Sequence, residues 1–494
     1  MDSENLAYSL DSRLTSNFFW LFLSEVFSKG LIFIGTIYLA RVLGAASFGL
    51  YSLSLSIAIC VWFIADLGVS LYGAREVAKN RGKAQEFLQI LNSMRFFAAL
   101  ILFLVLCVVI FPISIPSMTK KVIVVGALYV IAYALSSDWL LRGIEQIQYV
   151  TFGNAVLSST FLVSVLFFVH QSQDATIAVF LHSLSYFFAS SALLLVLKRK
   201  FNIRFKFKLS WNEFKIHLKE LWYFAFTFAL GSAIAPLVII LLGILSGQES
   251  VGFFSAPHRI IMLILGFMGI FSFSFYPILA DQFVHDSESF LRTQAIFQKV
   301  MLIVGIPIGV GGFILSKGII HLLLGNRYTP SVGVFNILVW LIPLSFMSVT
   351  YSATLLATKF QRLYLIAIGI SCAVAVILSV LLIPSFGIIG AAIVLLCQKC
   401  IILILVIWMF QQHIHRFTFF DGYFIKVLGA SIVMGVVIWV AKINIFGKIF
   451  VGIGLYSLIL FLLKVITKEQ LIRCYSLLAN MRRKGFVTEY RSDL

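Results

Sequence analysis

Ionisable side chains inside long apolar stretches are the residues of this sequence that could do chemistry. Glu25 and Lys29 lie four residues apart near the middle of the first apolar stretch, on one helical face. Lys399 and Arg259 lie inside two later stretches and have no acid within one helical turn. A charge at the centre of a membrane-spanning helix costs about 2.5 to 3.5 kcal/mol, so it usually faces a polar interior. Glu25 and Lys29 could instead form an internal ion pair that neutralises both. The uncompensated cations predict an interior that attracts anions.

Other charged residues lie nearer the ends of apolar stretches. Arg95 begins the third predicted span, and Lys317 shares a face with His321 near the outer part of the ninth. Either cation could line the interior or snorkel to a membrane interface. Asp66 lies in the inner third of the second span. Asp66 could bind a coupling cation or proton, or could pair with a base on another helix.

Catalytic motifs are missing from the sequence. The Gly447 and Lys448 pair lacks the following Ser or Thr and the upstream Gly of a phosphate-binding loop, and no HExxH or GxSxG stands at a credible position. Cys397 and Cys400 form a CxxC inside an apolar run without the strand and helix of a redox site, so we expect buried thiols rather than a redox or metal pair. We therefore expect that the protein is not an enzyme and that it binds no metal ion and no cofactor.

The composition requires a membrane. Hydrophobic residues make up 61% of the 494 residues, charged residues only 12%, and the mean hydropathy is +1.03. That apolar surface exceeds what one soluble core can bury. About 20 apolar residues cross the hydrocarbon layer. Runs of that length predict fourteen helices, at residues 17–40, 48–72, 91–111, 122–140, 149–170, 175–197, 221–245, 251–280, 300–324, 332–357, 363–383, 386–410, 424–442 and 449–466.

The basic residues predict the orientation of these helices. With the N-terminus in the cytoplasm, the inner segments hold 25 Lys and Arg residues and the outer loops hold 6. Basic residues near span ends are retained in the cytoplasm, so both termini should be cytoplasmic. The acidic first sixteen residues do not fit a secretory signal, and the first helix should stay in the mature protein. The net charge of +18 indicates anionic lipid headgroups rather than nucleic acid as the partner.

A weak internal repeat predicts two similar halves. "LGAASFGLYS" from Leu43 returns as "SGQESVGFFS" from Ser246, and it pairs Gly44 with Gly247 and Gly49 with Gly252. Such repeats are common in secondary transporters. We expect an N-lobe at 1–197, a C-lobe at 221–410, and two further helices with a basic tail at 411–494. The basic and aromatic linker at 198–220 should lie on the inner leaflet, with a short amphipathic helix that a capping box at Ser210 opens.

Five short segments resemble the polysaccharide-export branch of the multidrug, oligosaccharidyl-lipid and polysaccharide (MOP) exporter superfamily, and in particular its O-antigen-type (Wzx-like) flippases. They occur in the same order and spacing over the first twelve helices. The segments are "LARVLGAASFGLYSLSLSI" from Leu39, "GAREVAKN" from Gly73, "DWLLRGIEQ" from Asp138, "SVGFFSAPHRI" from Ser250 and "FGIIGAAI" from Phe386.

The resemblance implies two six-helix lobes around a central cationic cavity that opens alternately to the two sides of a bacterial or archaeal inner membrane. The implied cargo is an undecaprenyl-diphosphate-linked oligosaccharide for O-antigen, capsule or exopolysaccharide synthesis. A polysaccharide polymerase and a chain-length regulator are further implied partners. The resembling segments also supply the residues expected at a cytoplasmic gate, which are Arg75, Glu76, Asp138 and Arg142.

Two other functions stay open at the sequence level. One is an ion-coupled exporter of drugs or metabolites, which would share the helices and the interior charges. The other is a membrane glycosyltransferase or ligase, which the short outer loops disfavour because they leave no room for an external catalytic domain.

Overall fold

The computed structural model describes residues 3–208, 210, 214–215, 217, 221, 232–358, 360–414 and 422–465, with the side chains of residues 3–25, 270, 273 and 274 left out. In this part of the chain the regular elements are all helices. The α-helices are α1 (Ser3–Ala65), α2 (Val69–Lys79), α3 (Ala84–Ile110), α4 (Ser117–Ala134), α5 (Asp138–Gly143), α6 (Ile147–Phe168), α7 (Ala175–Lys200), α8 (Ile234–Ser246), α9 (Gln248–His285), α10 (Ser287–Leu324), α11 (Ser331–Leu338), α12 (Leu341–Ala357), α13 (Gln361–His413), α14 (Gly422–Val440) and α15 (Ile445–Leu462).

Two of these helices are too long to be single spans. α1 has 63 residues and α13 has 53, and each contains one glycine with a positive φ, Gly44 at 72° and Gly387 at 53°. At 1.5 Å per residue, straight helices of these lengths would reach roughly 80 to 95 Å, far beyond a hydrocarbon layer of about 30 Å. Each is therefore two helical segments joined at a glycine, as the predicted boundaries near residues 40–48 and 383–386 require.

The prediction of an all-α polytopic membrane protein is confirmed. Within the described residues, eleven helices are long and apolar enough to cross a membrane, with α1 and α13 each counted once. Residues 222–231 of the seventh predicted helix lie outside the described residues. The later part of that predicted helix is described, and it forms α8 from Ile234 onward. The count of fourteen spans therefore stays a prediction.

Three predicted helices are divided in the structure, and one of them is the tenth, which is interrupted at residues 339–340 between α11 and α12. The second should reach residue 72, but α1 ends at Ala65, and Leu67 and Gly68 follow with φ of 53° and 83° before α2 begins. The fourth should reach residue 140, but it divides at residues 135–137 into α4 and α5. Hydropathy cannot detect such breaks, because the residues on either side stay apolar. α2 and α5 pack together, with Gly73 against the Trp139 ring.

The described start of the linker, residues 202–208, is not helical. Residues 203–208 lie along α3: the Gln89 side chain donates to the Arg204 carbonyl at 3.2 Å, and the Lys208 amide donates to the Ser93 hydroxyl at 3.0 Å. Phe207 packs on Phe96 and its neighbour in α3. The Phe214 amide donates to the Ser210 carbonyl at 3.0 Å, as a helical turn there requires, whereas residue 213 of the predicted capping box lies outside the described residues.

The two copies of the internal repeat have the same backbone conformation and touch each other. Gly44 has φ 72° and ψ 174°, and Gly247 has φ 83° and ψ 173°. A side chain at Gly49 would meet the backbone of Gln248, the residue after one repeat glycine, and a side chain at Gly252 would meet the backbone of Ala45, the residue after the other. The contact is reciprocal, as a pseudo-twofold axis requires. We call this end of the molecule the glycine end, and the opposite end, with α2, α5 and residues 203–208, the linker end.

Candidate functional site

Lys29 and Arg259 lie in the same region between the two halves of the chain. The Lys29 ammonium on α1 donates to the Gly266 carbonyl of α9 at 3.2 Å. Arg259 lies seven residues before Gly266 on α9, which places both on nearly the same helical face about 10 Å apart along the axis. Helices from opposite halves thus bring two cations to one face of α9.

Arg259 is not neutralised by the described chain. It is partly buried and forms no ion pair or hydrogen bond with a described side chain or carbonyl. Its positive charge acts on Tyr51 and His182 in the N-terminal half, and on its own neighbour His258. A cation inside a membrane-spanning helix without a counter-ion is costly. Because no described acid neutralises Arg259, its positive charge remains available to a bound anion.

An aromatic wall in the N-terminal half lies within reach of the charge of Arg259. The Tyr51 hydroxyl lies 3.2 Å from Nδ1 of His182, and the His182 ring lies 5.1 Å from Phe161 and 5.4 Å from Tyr186, between ring centroids. Tyr186 stacks edge-on against Tyr129 at 4.7 Å. A small cavity of about 10 Å³ lies within this wall, lined by Ile32, Leu157, Phe161, His182, Ser185 and Tyr186. Ile32 is one turn from Lys29 on α1, so the cavity lies within one helical turn of that lysine.

Lys399 points toward the protein interior in the C-terminal half. Its helical neighbours Leu395, Ile402 and Leu403 are all buried, whereas Ile404, on the other face of α13, is exposed. Residues three and four apart share a helix face, so Lys399 faces inward. It forms no ion pair or hydrogen bond with a described residue. Lys399 is thus a second uncompensated interior cation.

Asp66 and Arg95 pair with each other. The closest carboxylate and guanidinium atoms are 3.2 Å apart, and both side chains are fully buried. Arg95 also donates to the Ser136 carbonyl at 3.1 Å and lies 4.7 Å from the Trp62 ring centroid. Asp66 accepts from the Ser70 hydroxyl at 2.8 Å at the start of α2. The pair therefore ties together the two helix breaks that precede α2 and α5, and in this state Arg95 directs its charge at Asp66.

The remaining predicted interior charges are less informative. Lys317 is exposed on α10, and His321, one turn further, hydrogen-bonds to Thr329 through a nitrogen–oxygen distance of 3.1 Å. Glu25 lies outside the residues whose side chains are described. Cys397 and Cys400 are free, partly buried thiols.

The four residues expected at a gate lie on the two short helices of the linker end. On α2, Glu76 forms ion pairs with Arg75 at 2.7 Å and with Lys79 at 2.9 Å. Burial acts to raise the pKa of Glu76, but the hydrogen bonds from Lys79 and Arg75 outweigh it and hold that pKa below its usual value. On α5, Arg142 pairs with Asp138 at 3.5 Å. Because α2 packs on α5, the four residues lie on two adjacent helices.

The glycine end carries cross-contacts that the sequence did not reveal. Arg41 on α1 donates to the carbonyls of Leu322 and Leu323 at the end of α10, and the Tyr328 hydroxyl donates to the Ala40 carbonyl at 2.9 Å. Neither contact follows a sequence pattern, because the acceptors are backbone oxygens nearly 300 residues away. These bonds join the two halves, and we call them the glycine-end latch. The Tyr51 and His182 pair was also missed, since single aromatic residues in an apolar run carry no spacing signal.

An apolar groove lies in the C-terminal half of the chain. It has a volume of about 250 Å³ between α10 and α14 and is lined by Val310, Ile314, Ile432, Gly435, Val436 and Trp439. α15 supports this region through Tyr456, whose hydroxyl donates to the Ile303 carbonyl of α10 at 2.8 Å.

The described part of the chain is an all-α polytopic membrane fold. The chain is similar to the solved structure of "Lipid II flippase MurJ, inward closed conformation", at 16% identity over 89% of this chain and 97% of that one, with a TM-score of 0.69. It is also similar to an inward-facing multidrug resistance transporter of the MATE family and MOP superfamily, at 14% identity over 79% of this chain and 94% of that one, with a TM-score of 0.63. At these identities the likeness shows the fold alone.

Sequence comparison gives the family. The model of the family described as "Polysaccharide biosynthesis protein" matches residues 14–283, which is more than half of the chain. A protein of Escherichia coli (strain K12) described as "Putative O-antigen transporter" is 22% identical over 378 residues, covering 74% of this chain and 89% of that protein. The chain belongs to the polysaccharide biosynthesis protein family, and the resemblance predicted from its short segments is confirmed.

Proposed function

We propose that this protein is a flippase that moves a polyprenyl-diphosphate-linked oligosaccharide from the cytoplasmic to the outer leaflet of a bacterial or archaeal inner membrane. The observation that carries the proposal is the pair of uncompensated interior cations, Arg259 and Lys399, in a chain of this family. A diphosphate diester carries two negative charges, and the low dielectric of a protein interior strengthens each contact with a cation. The cargo crosses unchanged, so the protein acts as a transporter and not as an enzyme.

The lipid part of the cargo would stay outside the charged interior. The groove of about 250 Å³ between α10 and α14 offers only apolar side chains to a polyprenyl tail. The aromatic wall around Tyr186 gives the sugars flat apolar faces together with hydroxyl groups. The cationic region, the wall and the groove thus match the three chemical parts of the cargo.

Alternating access gives a role to the two ends of the molecule. The glycine end is closed by the reciprocal glycine contact and by the glycine-end latch. By the distribution of basic residues, this end faces the outside and the linker end faces the cytoplasm. The cargo would then enter between the lobes from the cytoplasm, and its release would require the contacts at the glycine end to separate. Arg75, Glu76, Asp138 and Arg142 would form the opposing gate.

The orientation has a direct test. Reporter fusions after residues 80, 205 and 480 should read as cytoplasmic, and fusions after residues 45, 248 and 328 should read as external. A cytoplasmic signal after residue 248 would contradict the arrangement of the two lobes.

Substitution of Arg259 tests the function. In cells whose surface glycan depends on this protein, Arg259→Ala and Lys399→Ala should each cut export while the abundance of the protein in the membrane stays near wild type. Arg259→Lys should keep part of the activity, because the charge survives although the planar guanidinium does not. Arg259→Glu should be worse than Ala, since it repels the diphosphate. Normal export by Arg259→Glu would contradict the proposal. Lipid-linked oligosaccharide should accumulate in the inner leaflet of a deletion strain.

A further inference from the structure

The start of the linker is a basic segment to which the proposed function gives no role. Between residues 198 and 208 the sequence holds six Lys or Arg residues and no acid. Arg204 and Lys206 are exposed, whereas Ile203 and Phe205 are partly buried against the hydrophobic cluster of α2, α3, α5 and their neighbours. We call residues 203–208 the strap. It turns apolar side chains toward the protein and keeps basic side chains at its surface.

Three hydrogen bonds hold the strap on α3. The Arg204 amide donates to the Gln85 side chain at 3.3 Å, and the Gln89 side chain donates to the Arg204 carbonyl at 3.2 Å. Further along, the Lys208 amide donates to the Ser93 hydroxyl at 3.0 Å. The three residues of α3 are spaced four apart, so they share one face of the helix. The strap therefore follows that face in the same direction as α3.

Phe207 lies where the strap meets the lipid-facing surface of α3. Its side chain is about half exposed, and its ring centroid lies 5.0 Å from that of Phe96 and 6.1 Å from that of Phe97. Ile101 and Leu104 follow Phe97 on the same helix face, and both are exposed apolar residues of a candidate membrane span. The hydrocarbon layer should therefore begin near Phe97.

The two exposed cations of the strap then lie at the height of the lipid headgroups. A chain advances at most about 3.6 Å per residue, so the Cα atoms of Lys206 and Arg204 lie within about 4 Å and 11 Å of that of Phe207. Gln89, which bonds to Arg204, lies seven residues before Phe96, or about 10 Å along the helix axis. The headgroup region adds roughly 5 to 8 Å to each side of the hydrocarbon. Lys206 thus lies within that region and Arg204 lies at its aqueous edge.

We propose that the strap is a binding site for the headgroups of anionic phospholipids, and that Arg204 and Lys206 contact their phosphates. Neither cation forms an ion pair with a described residue, and the absence of acids between residues 198 and 208 favours anionic lipids over zwitterionic ones. The height of the two side chains favours a lipid over a soluble polyanion. By the distribution of basic residues, the lipids are those of the cytoplasmic leaflet. The site does not depend on the cargo.

Photo-crosslinking in a bilayer tests the position of this site. The purified full-length protein carries p-benzoylphenylalanine in place of Phe207, in nanodiscs with a threefold excess of phosphatidylcholine over phosphatidylglycerol. Mass spectrometry identifies the lipids that become attached. Among them, the ratio of phosphatidylglycerol to phosphatidylcholine should exceed that of the bilayer about tenfold, because each nearby cation attracts an anionic lipid. The same probe in place of Phe167, an exposed residue of α6 at the glycine end, should give the ratio of the bilayer. Equal ratios at the two positions would overturn the proposal.

Neutralisation of the cations tests the chemistry. With the probe in place of Phe207, the double variant Arg204→Gln and Lys206→Gln should return the lipid ratio to that of the bilayer. The control Arg292→Gln and Lys299→Gln removes two exposed cations from the linker end of α10 and should keep the enrichment. Enrichment that persists in the first double variant, or is lost equally in both, would overturn the assignment to the strap.

Two features make the test independent of folding and of the proposed function. If the double variant of the strap does not fold, added salt replaces it: the enrichment at Phe207 in the otherwise wild-type chain should fall as salt rises, because exposed charges are screened. An enrichment that salt leaves unchanged would contradict a role for exposed cations. The nanodiscs contain no lipid-linked oligosaccharide, so the result stands whether or not the protein is a flippase.

Discussion

A single methyl group at the reciprocal glycine contact should open the glycine end. A Cβ atom at residue 252 would lie 2.6 Å from the carbonyl carbon of Ala45, and one at residue 49 would lie 2.8 Å from that of Gln248. Carbon atoms prefer about 3.5 to 4.0 Å, so the helices must separate by roughly 1 Å or the side chain must be strained. The obstacle is backbone, which cannot rotate away. Overpacking of this kind costs typically about 1 to 3 kcal/mol. If the open state lacks the contact, about 2 kcal/mol shifts the equilibrium roughly 30-fold toward it.

The measurement is cysteine labelling from outside the cell. Thr119 accepts a hydrogen bond from Gln248 at 2.7 Å at this end and is buried, so a cysteine at residue 119 should react faster with an impermeant maleimide once the end opens. In a background without the native cysteines, Gly252→Ala should raise the labelling rate and lower export. Gly269→Ala, on the same helix and with no atom within 4 Å of the added methyl, is the control. Equal labelling and export for the two alanine variants would refute this account of the contact.

Three other substitutions test separate parts of the molecule. Arg95→Ala leaves its buried carboxylate partner unpaired, which typically costs about 3 to 5 kcal/mol, so immunoblots should show less protein in the membrane; normal abundance would mean that the ion pair is not structural. Replacement of both Cys397 and Cys400 by Ala should leave glycan export intact, and loss of export at normal protein levels would restore a redox or metal role. Val436→Trp should fill the apolar groove and lower export, whereas Val437→Trp, which does not line the groove, should have little effect; equal export by the two variants would argue against a tail in the groove.

The sequence predicted what depends on bulk hydropathy and missed what depends on individual contacts. The starts or ends of α6, α7 and α12 lie within a few residues of their predicted positions, because the transition from apolar to polar residues coincides there with the end of the helix. The breaks after Ala65 and Ala134 were missed, since a buried ion pair and a carbonyl contact stabilise them and apolar residues continue on both sides.

The candidate site divides in the same way. Charged residues in apolar runs, such as Arg259 and Lys399, can be identified from the sequence, because a charge inside a span is costly unless it faces a polar interior. Which cation keeps a free charge cannot be read from one chain, because the partner lies on a different helix. Arg95 has a counter-ion in the structure although no acid lies near it in sequence. The contact between His182 and Tyr51 carried no signal in the sequence, because the two residues are 131 positions apart.

The reciprocal glycine contact also allows the two halves of the internal repeat to be compared residue by residue. In the alignment that pairs Gly44 with Gly247, Arg259 stands opposite Ser56, and Lys29 stands opposite Ser232. Both halves thus contribute equivalent glycines to this contact, whereas each of the two cations belongs to one half only. A cargo with a phosphate end and a sugar end has a direction, and a cavity whose charges obeyed the twofold axis would accept it in either of two opposed poses. In the proposed mechanism, the departure from symmetry at these two positions would leave a single pose, so the glycine contact that both halves share would govern the motion and the unshared cations would govern the orientation of the cargo.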